Sequence, residues 1–170
     1  MITWNKPVLT YTYNQETLSI TPWGNNAFRV QAIKQAHFPE ERWALTQPVQ
    51  STATAKEEGD GCTITNGKLS VHLTRNGKLT AYNQNGKLLL EEYSRNRRDI
   101  LDPKCSAIEV EAREFRPILG GDYHLTMRLE SLDPKEKLYG MGQYQQPYLD
   151  LKGADLELAH RNSQASVPFV

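Results

Sequence analysis

Residues 63–93 read TITNGKLSVHLTRNGKLTAYNQNGKLLLEEY, and within them Asn-Gly-Lys-Leu occurs three times, beginning at Asn66, Asn76 and Asn85. Asn-Gly between alternating segments is a strong hairpin signal, because a type I′ turn needs positive φ at both central residues. The spacing predicts a meander of antiparallel strands with type I′ turns. Between the first two repeats Leu69, Val71 and Leu73 fall on one face and Ser70, His72 and Thr74 on the other, as expected for strands with one buried side.

The same period of two appears in residues 16–23, where Leu18 and Ile20 alternate with Thr17, Ser19 and Thr21. It returns in AFRVQAI, YHLTMRLE and SAIEVEAREF, the last with Ile108 and Val110 alternating with Glu109 and Glu111. About eight to twelve short strands are expected, spaced by turn residues and without βαβ rhythm, which predicts an all-β antiparallel β-sandwich. One or two short helical turns are expected besides: at Asp133-Pro134-Lys135-Glu136, which reads as cap, first-turn proline and Glu, and over residues 38–48. The polar stretch from Gln50 to Gly61 reads as a loop.

With 170 residues the chain has room for one core, and residues 1–170 are expected to form a single domain. Lys plus Arg and Asp plus Glu are both 20, so no excess charge attracts nucleic acid or an anionic membrane. The expected partner is neutral, or another protein surface. No apolar run approaches the ~20 residues of a membrane span and no secretory leader opens the sequence, so a cytoplasmic location is expected. Cys62 and Cys105 stand far apart without metal-ligand spacing, which suits reduced thiols.

Candidate chemistry is sparse. The adjacent pairs Glu40-Glu41, Glu57-Glu58 and Glu91-Glu92 should point to opposite faces of extended chain, so they read as solvated surface rather than a catalytic dyad. Asp155 and Glu157 share a strand face by spacing, yet a polar stripe explains them. The four histidines, His37, His72, His124 and His160, lack metal-ligand spacing, so neither metal nor cofactor is expected. Gly140-Met141-Gly142 is better explained by close packing or unusual φ than by a phosphate cradle. Tyr139, Tyr144 and Tyr148, with Trp4, Trp23 and Trp43, have the faces to stack on sugars but fit core or interface more simply. Arg95, Arg97 and Arg98 make a short basic loop for which solvation is the default reading.

Three ordered motifs carry a resemblance. The hairpin series TNGKLSVHL through NGKLLLEE, then KLYGMGQYQQPYLDLKG, then SVPFV resemble, in order and spacing, the amino-terminal domain of glycoside hydrolase family 31, the α-glucosidases and α-xylosidases. The likeness is specific over residues 60–170 and general before that. It implies a galactose-mutarotase-like β-sandwich followed in the same polypeptide by a (β/α)₈ barrel, whose aspartates cleave an α-linked oligosaccharide with retention. No catalytic residue is then expected here, and an apolar face for the barrel is expected around Leu138 to Val170. By position, Ala159 to Ala165 would be the loop lent to the active-site rim, with Arg161, Asn162 and Gln164 as substrate-rim candidates. This loop is shorter than the family's and lacks its Asp, while Gln143 replaces the final Glu of the family signature and is the fourth candidate. The alternative reading is a stand-alone carbohydrate-binding module.

Overall fold

A computed structural model describes residues 1–39, 45, 51–97, 100–131 and 133–170. They group into two compact units, Met1–Glu130 and Ser131–Val170. In the first unit β1 (Ile2–Asn5), β2 (Val8–Tyr13), β3 (Glu16–Pro22) and β4 (Phe28–Ile33) form one antiparallel sheet in chain order. A second antiparallel sheet, also in chain order, holds β5 (Thr54–Glu58), β6 (Gly61–Asn66), β7 (Leu69–Thr74), β8 (Leu79–Asn83) and β9 (Leu88–Glu91). A ribbon of β10 (Arg113–Pro117) and β11 (Tyr123–Met127) follows. Leu9, Tyr11, Leu18 and Ile20 from the first sheet and Cys62, Ile64, Val71, Leu73 and Leu79 from the second make one core. This is the expected β-sandwich, with strand faces as the alternation of residues 69–74 assigns them.

The turns differ from expectation. Asn66 pairs with Leu69 as the last residue of β6, so Gly67 and Lys68 are the central residues, with positive φ at Gly67 alone. That is the glycine-first, type II′ pattern. The other two repeats close three-residue loops between Thr74 and Lys78 and between Asn83 and Lys87, with Gly77 and Gly86 in the left-handed region. Two successive positive φ values do occur, at Asn14 and Gln15 between β2 and β3, without any glycine. Because Asn66 is drawn into the strand, its side chain is only 2% exposed and donates to the carbonyls of Gly24 and Ala27 at 2.9 and 2.8 Å. The first NGKL repeat thereby ties one sheet to the β3–β4 turn of the other.

Three further expectations are corrected. Residues 54–58 are an edge strand rather than loop, since an edge tolerates the exposed charges of Lys56, Glu57 and Glu58. Residues 106–112 are not a strand: Ile108 is 74% exposed and Val110 makes only an isolated bridge to Arg95, so pairing begins at Arg113. No helix occurs among the described residues; Asp133 instead caps a turn, its carboxylate accepting the Lys135 N–H and its carbonyl the Glu136 N–H. Of the second expected helical turn, residues 40–44 and 46–48, with Trp43 and Glu40-Glu41, lie outside the described residues, as does Arg98.

Buried charge organises one end of the sandwich. Arg113 donates through Nε to Glu16 at 2.7 Å, through Nη1 to both Glu92 oxygens at 2.5 Å and through Nη2 to the Gly77 carbonyl at 2.6 Å. Glu92 Oε2 also accepts the Leu79 N–H at 2.8 Å. Burial opposes the Arg113 charge, but Glu92 and Glu16 outweigh it and raise the guanidinium pKa. Nearby, Lys104 reaches Glu91 at 2.6 Å and Glu130 at 3.2 Å, and Arg95 reaches Glu130 at 2.7 Å while lying over the Tyr93 ring. Arg95 is thus a half-buried ion-pair partner rather than a solvated loop residue.

Two outcomes are expected. Asn66→Ala strands two carbonyls and should cost about 1–3 kcal/mol in urea unfolding, whereas Asn85→Ala, in the same motif but exposed, should stay within about 0.5 kcal/mol. The Arg95 hydrogen bond holds the Glu130 carboxyl below its ordinary 4.5. A lowered folded-state pKa adds stability that is complete above the ordinary value and lost as pH falls through the folded one. Glu130→Gln should therefore flatten the acid limb of a stability-versus-pH curve.

Candidate functional site

The second unit is short of regular structure, and backbone geometry does most of its organising. Among its described residues one strand pair joins β12 (Gly142–Gln143) to β13 (Ala165–Ser166), with Gly142 opposite Ser166 and Gln143 opposite Ala165. The chain beyond β13 continues along the same partner: Val167 donates to the Met141 carbonyl at 3.1 Å, and Met141 donates to that of Phe169 at 2.6 Å. Such an approach needs bare backbone. A Cβ on Gly140 would lie 2.3 Å from the Phe169 carbonyl oxygen and one on Gly142 2.0 Å from that of Ala165, at φ values of 118° and 107°. Met141 between them has φ of 62°. Close packing and unusual φ therefore account for Gly-Met-Gly.

This pairing collects the four candidates at one place. Arg161 and Gln164 exchange backbone hydrogen bonds at 3.1 and 3.0 Å, closing a tight turn whose tip is Asn162-Ser163. Gln164 leads directly into β13, so the turn adjoins Gln143 across the pair. Gln143, Arg161 and Asn162 are exposed, and the Arg161 guanidinium pairs with Glu157. Sequence reasoning missed the residues that hold the turn. Ser166 Oγ meets the Tyr144 hydroxyl at 2.9 Å and donates to the Ala159 carbonyl at 3.0 Å, and Ser166 N–H reaches His160 Nδ1 at 3.4 Å. Lone Ser, Tyr and His residues separated by up to 22 positions leave no local signal.

At the start of the unit, the Asp150 carboxylate accepts the backbone N–H groups of Lys152 at 3.2 Å and Leu138 at 3.1 Å, which lowers its pKa. Much apolar surface of this unit stays uncovered: Leu138, Tyr139, Tyr148, Leu149, Leu158, Val167, Phe169 and Val170 are exposed, Leu149 to 83% and Phe169 to 75%.

Glu91 and Glu92 diverge as neighbours in extended chain must, the first to Lys78 and Lys104 and the second to Arg113. Glu58 meets Thr63 and His72, and Asp155 and Glu157 lie outside any strand. Cys62 and Cys105 are free, the first in the core.

Against known families, residues 17–165 match the glycosyl hydrolase 31 N-terminal galactose mutarotase-like domain. The chain belongs to that family. A curated relative, an uncharacterised family 31 glucosidase from Pseudescherichia vulneris, is 45% identical over 94% of this chain and 32% of its own. The crystal structure of a family 31 α-xylosidase from a soil metagenome, complexed with xylose, superposes over 99% of this chain with a TM-score of 0.92 and 44% identity. It is matched over 26% of its length, so the chain spans about a quarter to a third of these relatives. A second family 31 α-xylosidase, from Xanthomonas citri, shares the fold with a TM-score of 0.75 at 24% identity, over 95% of this chain and 17% of that one.

The glycines of Gly140-Met141-Gly142 provide the test of this site. Gly142→Ala should lower stability and broaden the amide resonances of residues 161–167 in an NMR spectrum, because its methyl meets a backbone carbonyl at a positive φ. Asn162→Ala, at the exposed tip, should leave both unchanged.

Proposed function

We propose that this chain is the amino-terminal β-sandwich of a retaining α-glycosidase that hydrolyses α-glucosidic or α-xylosidic bonds, and that it acts in the cytoplasm. Residues 1–170 serve as one domain that packs on a catalytic barrel of the same polypeptide. The turn bearing Arg161, Asn162 and Gln164, with Gln143 beside it, shapes the rim of the barrel's active site. Exposed hydroxyl-binding groups on a tight turn suit that role: an amide and a guanidinium both donate to sugar hydroxyls, and the amide accepts.

The observation that carries this reading is the combination of near-complete coverage of this chain with about a quarter of the xylosidase, together with the exposed apolar residues of the second unit. Apolar residues at that density are found where another surface covers them.

Expressed alone, the chain should not turn over p-nitrophenyl α-xyloside or α-glucoside, while the complete reading frame should hydrolyse at least one of them. Turnover by the chain alone, or none by the complete protein, would sink the proposal. In the complete enzyme, Asn162→Ala and Gln143→Ala should raise KM more than they lower kcat if these side chains bind substrate uniformly.

A further inference from the structure

Within the first unit, a cleft of about 790 Å³ opens at the end of the sandwich where the β2–β3 and β7–β8 turns meet the segment leading into β10. This lies within the size range of small-molecule sites, about 300–1,000 Å³. Tyr11 and Tyr13 line it together with Asp60, Arg75, Asn76 and Glu111. Tyr11 belongs to the core and is only 2% exposed, yet its hydroxyl has no hydrogen-bond partner among the described residues. The hydroxyl itself is not sealed from solvent and opens into the cleft. Its ring packs under Gly77, where any Cβ would come within 2.6 Å of it, so no side chain at that position can roof the phenol.

Above the phenol the polar groups are also uncommitted. The side chains of Arg75 and Asn76, on the three-residue turn, and the Glu111 carboxylate make no hydrogen bond or ion pair with other described residues. Tyr13 lies two residues along the same strand face, its ring centroid 6.4 Å from that of Tyr11 at a tilt of 34°, and is half exposed. Burial first, and then the Glu16 charge, push the Tyr11 phenol up to about 12, so it remains a proton donor.

We infer that this cleft is a non-catalytic saccharide-binding site, with the Tyr11 hydroxyl, Arg75, Asn76 and Glu111 bonding sugar hydroxyls. Sugar hydroxyls both donate and accept, which matches a lining that mixes a phenol, an amide, a cation and a carboxylate. Apolar ligands are disfavoured by the polar lining; of the charged groups, Arg113, Arg95 and Lys78 are already paired with carboxylates and Glu111 balances Arg75, so no surplus cation invites an anion. The choice of α-linked sugars as ligand rests on the proposed function; the cleft itself does not.

The test is titration of the ¹⁵N-labelled 170-residue chain with maltose and with methyl α-xyloside, using inorganic phosphate as control. Shift changes should concentrate at residues 11–16, 75–77 and 111 with sugar and be absent with phosphate. Tyr11→Phe removes a hydroxyl without a protein partner, so it should leave the urea midpoint unchanged or higher while weakening sugar binding about fivefold. Arg75→Ala, on an exposed turn, should weaken it similarly. Sugar affinity unaltered in both variants, or no sugar-dependent shifts at these residues, overturns the inference. If the complete protein still hydrolyses α-xylosides or α-glucosides, the proposed function stands without it.

Discussion

One guanidinium holds together parts of the first unit that are nearly a hundred residues apart. Arg113 meets Glu16 from the β2–β3 hairpin, Glu92 from the end of β9 and the Gly77 carbonyl from the β7–β8 turn, all under cover from solvent. A charge in that position is tolerated only because each donor finds an acceptor, and the carboxylates tolerate burial only because the guanidinium is there. Glu92 spends its second oxygen on the Leu79 N–H as well, so the network also sets where β8 begins. The planar fork, which a lysine lacks, makes simultaneous contact with three elements possible.

That constraint explains the cleft beside it. The β7–β8 turn is pinned from below by Arg113 and needs glycine at position 77, so it arches over Tyr11 without a side chain to fill the space. A core residue is thereby left facing an opening. The apolar half of Tyr11 belongs to the sandwich and its polar end belongs to the surface.

Strand faces were legible in the sequence wherever burial was one-sided: Val71 and Leu73 point to the core and His72 away from it, to Thr63. Turn types were less so, because the dipeptide Asn-Gly does not say which residue ends the strand. The backbone of Asn66 completes a ladder and its amide serves the opposite sheet, an advantage that depends on Gly24 and Ala27 about forty positions away. Ile108 and Val110 alternate as well as any strand, but among the described residues pairing there is limited to the Val110–Arg95 bridge, and Ile108 faces solvent. Gly140-Met141-Gly142 could be read locally because its demand on φ is local. The Ser166, Tyr144 and His160 contacts could not, since each depends on the pairing that the glycines allow.

Strand β5 lies at the outer side of the five-stranded sheet, with Lys56, Glu57 and Glu58 along its length. An uncovered row of amides and carbonyls would be a template for a foreign chain, and aggregation of β-rich proteins commonly starts that way. A neighbour attempting to zip onto β5 would have to strip water from closely spaced charges of both signs without offering matched counterions. The segment that looks least like a strand by composition thus guards the sheet against polymerisation, and its unpromising sequence is suited to that position.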